Sequence, residues 1–542
     1  MIRTHETILH GQDNSSHGLT LQPDTLLLLS NLPAELLAEI FQQYVVMMQQ
    51  ESRQESTVYF RPYHWLRVGG ICRVLRHSAL QSPLLWNYIV ITDHVRQECI
   101  EEMLARSQQA PLSVRVRIRT DAEQTKSLLS LICAQLHRVQ DLEFSGPWNM
   151  LEYVSDRMGT ENPALRSLKI AKYAHWGSSV YWQEAKLPFT TEFSHLERLT
   201  TVSLTLANLP PCFLRPSLKH LEIHANFLPT FPVDFLNILL QLPLLETIHT
   251  EDTQRAWEPY REPVNVRASA PIVTLPHLQS VVLSSSGLLC AYFLEHLSFP
   301  SDARIDITCL RTLAAERRIE EDYLIPAIAS KFNAGSNAPT GVKPSKPLLS
   351  FAARLNGKQN TIILEGWPVR DPEIPFGRAC PVPKVRLSFS PFAWSNPFLR
   401  KFCGALNLSD VQTAYVGDGL PKPKSGFLAQ AFGGMHALRV MHVCGESADD
   451  LPEVLDITGD DVTFPHLESL TLERVAFRDF DGPEDDDFAA RLEKALTARK
   501  QVGAIAQIHI RSASNLSAKD VENMRVAGMP SVWDGIEDIE RG

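Results

Sequence analysis

Basic segments, paired cysteines and long apolar runs are all scarce in this chain, and each scarcity closes off a class of function. Net charge is −10 and no stretch concentrates Lys and Arg. The electrostatic footprint of a nucleic-acid binder is therefore missing. The nine cysteines are dispersed, and the closest two, Cys290 and Cys309, stand 19 residues apart (309 − 290). An odd, scattered set fits reduced thiols of the cytoplasm or nucleus better than a disulfide framework. With no C-x-x-C and no H-E-x-x-H, the spacing names no metal ligand and implies no cofactor. No G-x-S-x-G, Walker or dinucleotide fingerprint occurs, so no catalytic residue is assigned. The longest leucine run, Leu26-Leu27-Leu28-Leu29, is too short for a signal core or a membrane span.

What remains is ordinary globular material, 44% apolar and 21% charged over 542 residues. Single cores stop growing near about 250–300 residues, so several domains or one extended repeat array are expected. Residues 1–24 are polar and read as a loose lead. At Leu32-Pro33 a helix begins, with Pro33 placed where its missing N–H costs nothing and Glu35 in the dipole-favoured first turn. Leu32, Leu36, Leu37, Ile40, Phe41 and Tyr44 recur at helical spacing. Residues 49–62 read as a loop. A second helical pattern runs from Trp65 through Val68, Ile71, Cys72 and Leu75, and a third short element spans Ala79 to Trp86.

Beyond residue 92 the pattern changes to alternating helix and strand. A helix is expected over 98–107 and a strand over 113–118, with Arg115, Arg117 and Arg119 on a solvated strand face. An apolar phrase with spacing three and two then recurs: Val139-Leu142-Phe144, Leu165-Leu168-Ile170, Leu199-Val202-Leu204 and Leu218-Leu221-Ile223. Leu245-Ile248-Thr250, Leu278-Val281-Leu283, Leu438-Met441-Val443, Leu467-Leu470-Leu472 and Ile505-Ile508-Ile510 continue it. Copies start 19 (218 − 199) to 38 (505 − 467) residues apart, more uneven than regular leucine-rich repeats of about 20–29 residues. The pattern implies parallel strands with Leu168, Leu221, Val281 and Leu470 inward and Lys169, Glu222, Val282, His442 and Thr471 outward. His195, His277 and His466 each precede an anchor leucine, which points to a shared turn. The stretch 301–435 is poorly phased, with proline-rich insertions near 330–380 and 415–430 and possible strands at 361–364 and 386–390. The acidic run 479–487 lacks the ligand spacing of a calcium loop. It reads as a solvated loop before a helix at 488–499.

Residues 32–86 resemble an F-box. The matching positions are Leu32-Pro33, Glu35-Leu36, Ile40-Phe41, Trp65, Val68, Cys72-Arg73, Ala79, Ser82-Pro83 and Leu85-Trp86. Leu75 departs from the tryptophan common there. The sequence after it, including Pro111-Leu112 and Gln135 to Leu142, looks like the start of the repeat region in mushroom-type fungal F-box proteins.

That resemblance implies an α/β chain: a three-helix F-box over 25–92, an irregular leucine-rich-repeat solenoid over 93–511 and a cap or tail over 512–542. It implies a non-catalytic substrate receptor of an SCF-type cullin–RING ubiquitin ligase. Leu32, Pro33, Glu35, Leu36, Ile40, Phe41, Val68, Cys72, Leu84 and Trp86 would bind a Skp-family adaptor, and through it a cullin. The repeats would hold an unknown protein substrate, with neither nucleic acid nor membrane as partner. The alternative is a repeat scaffold acting outside a ligase.

Overall fold

The computed structural model describes residues 32–54, 63, 66, 73–158, 164–172, 189, 193–202, 209–225, 232–252, 270–309, 317–333, 346–356, 361–370, 381–389, 396–420, 426–456, 462–478, 487–500, 505–526, 531–535 and 537–538. The expected lead, Trp65, Val68 and Cys72, and most of the acidic run lie outside the described residues. The chain is α/β and divides into two compact units, Met1–Leu142 and Glu143–Gly542.

In the first unit a helix spans Ala34–Gln54. It continues six residues into the stretch expected to be a loop, because Gln, Glu, Ser and Arg there contain no Gly or Pro to stop it. A second helix, Arg73–Gln81, leads into a single 3-10 turn at Pro83–Trp86. Strands β1 (Tyr88–Thr92) and β2 (Leu112–Arg117) pair in parallel around the helix Gln97–Ser107. Strand β3 is Val139–Gly146. Arg115 is not on a solvated face: it is buried, opposite Val90, and only Arg119 is exposed. Arg138, also buried, donates to the carbonyls of Leu104 and Ala110 and to Ser107 Oγ. A cation there meets the carbonyl end of the helix Gln97–Ser107, where the helix dipole favours it.

The second unit carries a large, mostly parallel sheet. Its strands are β4 (Ser167–Lys172), β5 (Arg198–Val202), β6 (His220–Ala225), β7 (Thr247–Asp252), β8 (Ser280–Ser285) and β9 (Arg304–Cys309). They continue as β10 (Ser350–Asn356), β11 (Thr361–Trp367), β12 (Val385–Phe389), β13 (Thr413–Val416), β14 (Val440–Cys444), β15 (Ser469–Glu473), β16 (Gln507–Arg511) and β17 (Ser531–Trp533). Five strand starts, those of β5, β6, β8, β14 and β15, are made the same way. A turn closes by an N–H reaching back three residues, at Leu196 to Phe193, Leu218 to Arg215, Leu278 to Leu275, Leu438 to Met435 and Leu467 to Phe464. His195, His277 and His466 sit exposed on these turns, as their recurrence suggested. The leucine after each turn is buried, along with Leu168, Leu221, Val281 and Leu470. Each such side chain removes an apolar surface whose transfer from water is worth about 2 kcal/mol.

The turns also correct the phase of one copy. Leu199 pairs with Leu168 and Leu221 across the sheet, so the anchors of β5 are Leu196, Leu199 and Thr201. Thr201 is buried and Val202 is half-buried. The sequence misleads because Thr201, a polar residue, takes an inward place, while Val202 supplies a false apolar match at the next spacing.

The poorly phased region contains a reversal. β9 pairs in parallel with β12, β12 antiparallel with β11, β11 antiparallel with β10, and β10 in parallel with β13. Two of the expected strands are therefore present, but β11 runs against the rest. Ile362, Ile363, Leu364, Glu365, Gly366 and Trp367 are buried on successive positions. Both faces are covered, so the strand lacks the alternation that marks a half-buried one. A Cβ on Gly366 would lie 2.8 Å from Val385 Cγ1 and 2.9 Å from Leu348 Cδ1, so any larger residue would force those side chains to move. His442 and Thr471, expected outward, are buried as well. Ala352, Trp367, Tyr415 and Cys444 pack as a second core beside them, and the Tyr415 ring lies 6.4 Å from His442. At the far end β17 lies parallel to β16, placing Trp533 opposite Ile510.

Candidate functional site

The first helix of the N-terminal unit carries two apolar stripes. Leu37, Phe41 and Val45 recur every four residues and are buried. Leu36 and Ile40, offset by one position and so by about 100°, are 52% and 48% exposed. Of the residues expected to bind an adaptor, Pro33 and Glu35 are exposed and Leu32 is half-buried. Leu84 is 44% exposed. Phe41 and Trp86 are not surface residues: both are buried, with Trp86 Nε1 donating to the Ala79 carbonyl at 2.8 Å and Arg106 stacked 4.3 Å over its ring. An indole with a satisfied N–H is a fixed part of the core. Val68 and Cys72 lie outside the described residues.

A different cluster stands on the sheet of the second unit. Alternation along β6 puts His220, Glu222 and His224 on the face opposite buried Leu221 and Ile223. In β7 the same face holds Thr247, His249 and Glu251. Parallel register sets Glu222 opposite His249 and His224 opposite Glu251. Acid and imidazole thus alternate along both strands and across them.

The contacts are short. His224 Nε2 lies 2.7 Å from Glu222 Oε1, and its Nδ1 lies 2.6 Å from Glu251 Oε2. His249 Nδ1 lies 3.2 Å from the same Glu222 Oε1, and the two imidazole rings meet edge to face at 4.8 Å. Thr200 Oγ1 donates to Glu222 Oε2 at 3.0 Å from β5. All four titratable side chains are partly buried, so solvent screens them incompletely. The hydrogen bonds from His224 and His249 hold the Glu222 carboxyl well below the usual carboxylate range. The hydrogen bond to Glu222 raises His224 above an ordinary imidazole. On the same face His220 is lowered, by burial and then by the Arg198 charge.

Strand alternation in the sequence puts Glu222 on this face and gives no role to His224 or His249. A signal was available: Glu222-x-His224 in one copy and His249-x-Glu251 in the next, 27 residues on (249 − 222), match the interval between the copies at Leu218 and Leu245. Two side chains two apart on one strand share a face, and the neighbouring strand brings its own pair within about 5 Å. Among the described residues no helix is long and apolar enough to cross a membrane. The chain matches no model of a known protein family and no curated protein.

Proposed function

We propose that this chain is a non-catalytic substrate receptor of an SCF-type cullin–RING ubiquitin ligase. Its N-terminal helices act as an F-box that docks on a Skp-family adaptor, and its sheet-bearing unit is a leucine-rich-repeat-like solenoid that selects a protein substrate. The observation that carries the reading is the pair of stripes on the helix Ala34–Gln54. Leu37 and Phe41 already fill a core, while Leu36 and Ile40 stay half exposed on an adjacent face. An amphipathic surface helix needs only one apolar face for its own unit. A second one, on the residues that match the F-box pattern, suits a partner groove. Phe41 and Trp86 then support the fold of the docking unit, and Leu36, Ile40 and Leu84 make the contact.

The repeated turn-and-strand starts support the solenoid, since each copy buries its anchors against its neighbours. The test is affinity capture of a Skp-family adaptor and cullin by the full chain, with Leu36→Asp as the contrast. The receptor reading expects both proteins with the wild-type chain and neither with the variant. Capture of neither by the wild-type chain overturns it.

A further inference from the structure

We infer that Glu222, His224 and His249 form a binding site for one divalent transition-metal ion of the zinc type on the sheet face of the second unit. The site stands on its own geometry and does not depend on the ligase reading. Three residues converge: one ligand atom each of Glu222, His224 and His249 lies within 4.8 Å of the other two, and Glu222 Oε1 is 2.7 Å from His224 Nε2 and 3.2 Å from His249 Nδ1. Around a tetrahedral ion with bonds of about 2.0–2.1 Å, ligand atoms are roughly 3.3 Å apart. The contacts of 2.7 and 3.2 Å to Glu222 Oε1 are close to that spacing, and small χ rotations would open them.

The surroundings match a metal site in a second respect. A neutral imidazole has one N–H, yet His224 has a carboxylate oxygen at each ring nitrogen. Positive charge removes the conflict: either a second ring proton, which lets both nitrogens donate, or a cation in its place. An ion at Nε2 supplies that charge and leaves the Nδ1 proton to be donated to Glu251, the carboxylate–histidine–metal arrangement that orients a ligating ring. Thr200 likewise holds the second oxygen of Glu222. A metal-free ion-pair lattice is the competing account. It explains the alternation of acid and imidazole and, because one carboxylate oxygen can accept two N–H donors, the convergence on Glu222 Oε1 as well; zinc binding separates the two accounts.

The donor set also limits which ion fits. Two imidazoles exclude calcium and magnesium, which take oxygen ligands. Two histidines and one carboxylate suit zinc and its neighbours, and leave a coordination position for water or for a donor atom of a bound molecule. The face is partly open to solvent, so that position is reachable.

The experiment is calorimetric titration of zinc into the tag-free, chelator-treated full chain. The expected result is a saturable site that disappears in His249→Asn and in His224→Asn and persists in His220→Asn. Glu251→Gln should weaken it about 10- to 100-fold, as loss of an outer partner does. A parallel measurement needs no variant: zinc should protect His224 and His249 from acylation by diethyl pyrocarbonate while exposed His195 and His277 still react. The inference is overturned if zinc leaves His224 and His249 reactive. Equal zinc stoichiometry and affinity in a natively melting His249→Asn chain overturns it too.

Discussion

Glu222 and His249 face each other across two parallel strands, with His249 Nδ1 3.2 Å from the oxygen that also meets His224. The carboxylate is the hub of the cluster. Glu222→Gln keeps the shape but removes the charge that holds both rings. The expected outcome is loss of the zinc-dependent rise in melting temperature, read by differential scanning calorimetry with and without the ion. A rise equal to wild type would remove Glu222 from the ligand set.

On the helix Ala34–Gln54 the two stripes predict opposite phenotypes. Leu36→Asp places a charge on a half-exposed face and should leave the melting temperature within a degree or so of wild type. If that face is the adaptor contact, affinity should fall at least about tenfold, as for an anchor worth about 2 kcal/mol. Leu37→Asp charges a buried position and should unfold the N-terminal unit, seen as loss of its melting transition.

Arg499 ends the helix Phe488–Arg499 buried, donating its two terminal nitrogens to the carbonyls of Thr463 and Phe464. Phe464 has a left-handed backbone (φ 54°), so the guanidinium braces a turn that bulky residues avoid. Burial lowers its pKa. Arg499→Lys keeps charge but loses the fork. Urea unfolding should show a loss of about 1–3 kcal/mol, the cost of a buried acceptor left unmet.

Asp450 is buried and accepts the backbone N–H groups of Gly426 (2.6 Å) and Leu428 (2.8 Å) at the start of the helix Phe427–Phe432. Asp450→Ala should cost about 1–3 kcal/mol by chemical denaturation, and Asp450→Asn less, because one oxygen still accepts. Equal losses would mean that packing rather than the two hydrogen bonds holds the turn.

Thiol labelling should divide the cysteines by burial. Cys290, Cys403 and Cys444 are buried, and desolvation pushes the Cys403 and Cys444 thiols up. Thiolate is the reactive form. Burial raises the Cys99 thiol as well, so exposure sets the order: under native conditions a maleimide should modify the partly exposed Cys99 and Cys133 before these three, which should react only after unfolding. Peptide mass mapping at short times checks the order.

The apolar spacing of the sequence by itself determined the strand-forming copies, because a strand with one covered face must alternate. Leu218-Leu221-Ile223, Leu278-Val281-Leu283 and Leu467-Leu470-Leu472 are all buried where the spacing put them. The same rule could not give the direction of β11, whose two faces are both covered, and misphased β5, where Thr201 fills an inward place. Only the tertiary structure decided which apolar residues of the first helix were surplus. Leu36 and Leu37 are identical in composition and adjacent in sequence, and packing against the rest of the unit separates them. It also decided the Glu222, His224 and His249 cluster, because strand register sets which side chains 27 residues apart stand opposite each other, and one residue of slip would turn the imidazole into the core.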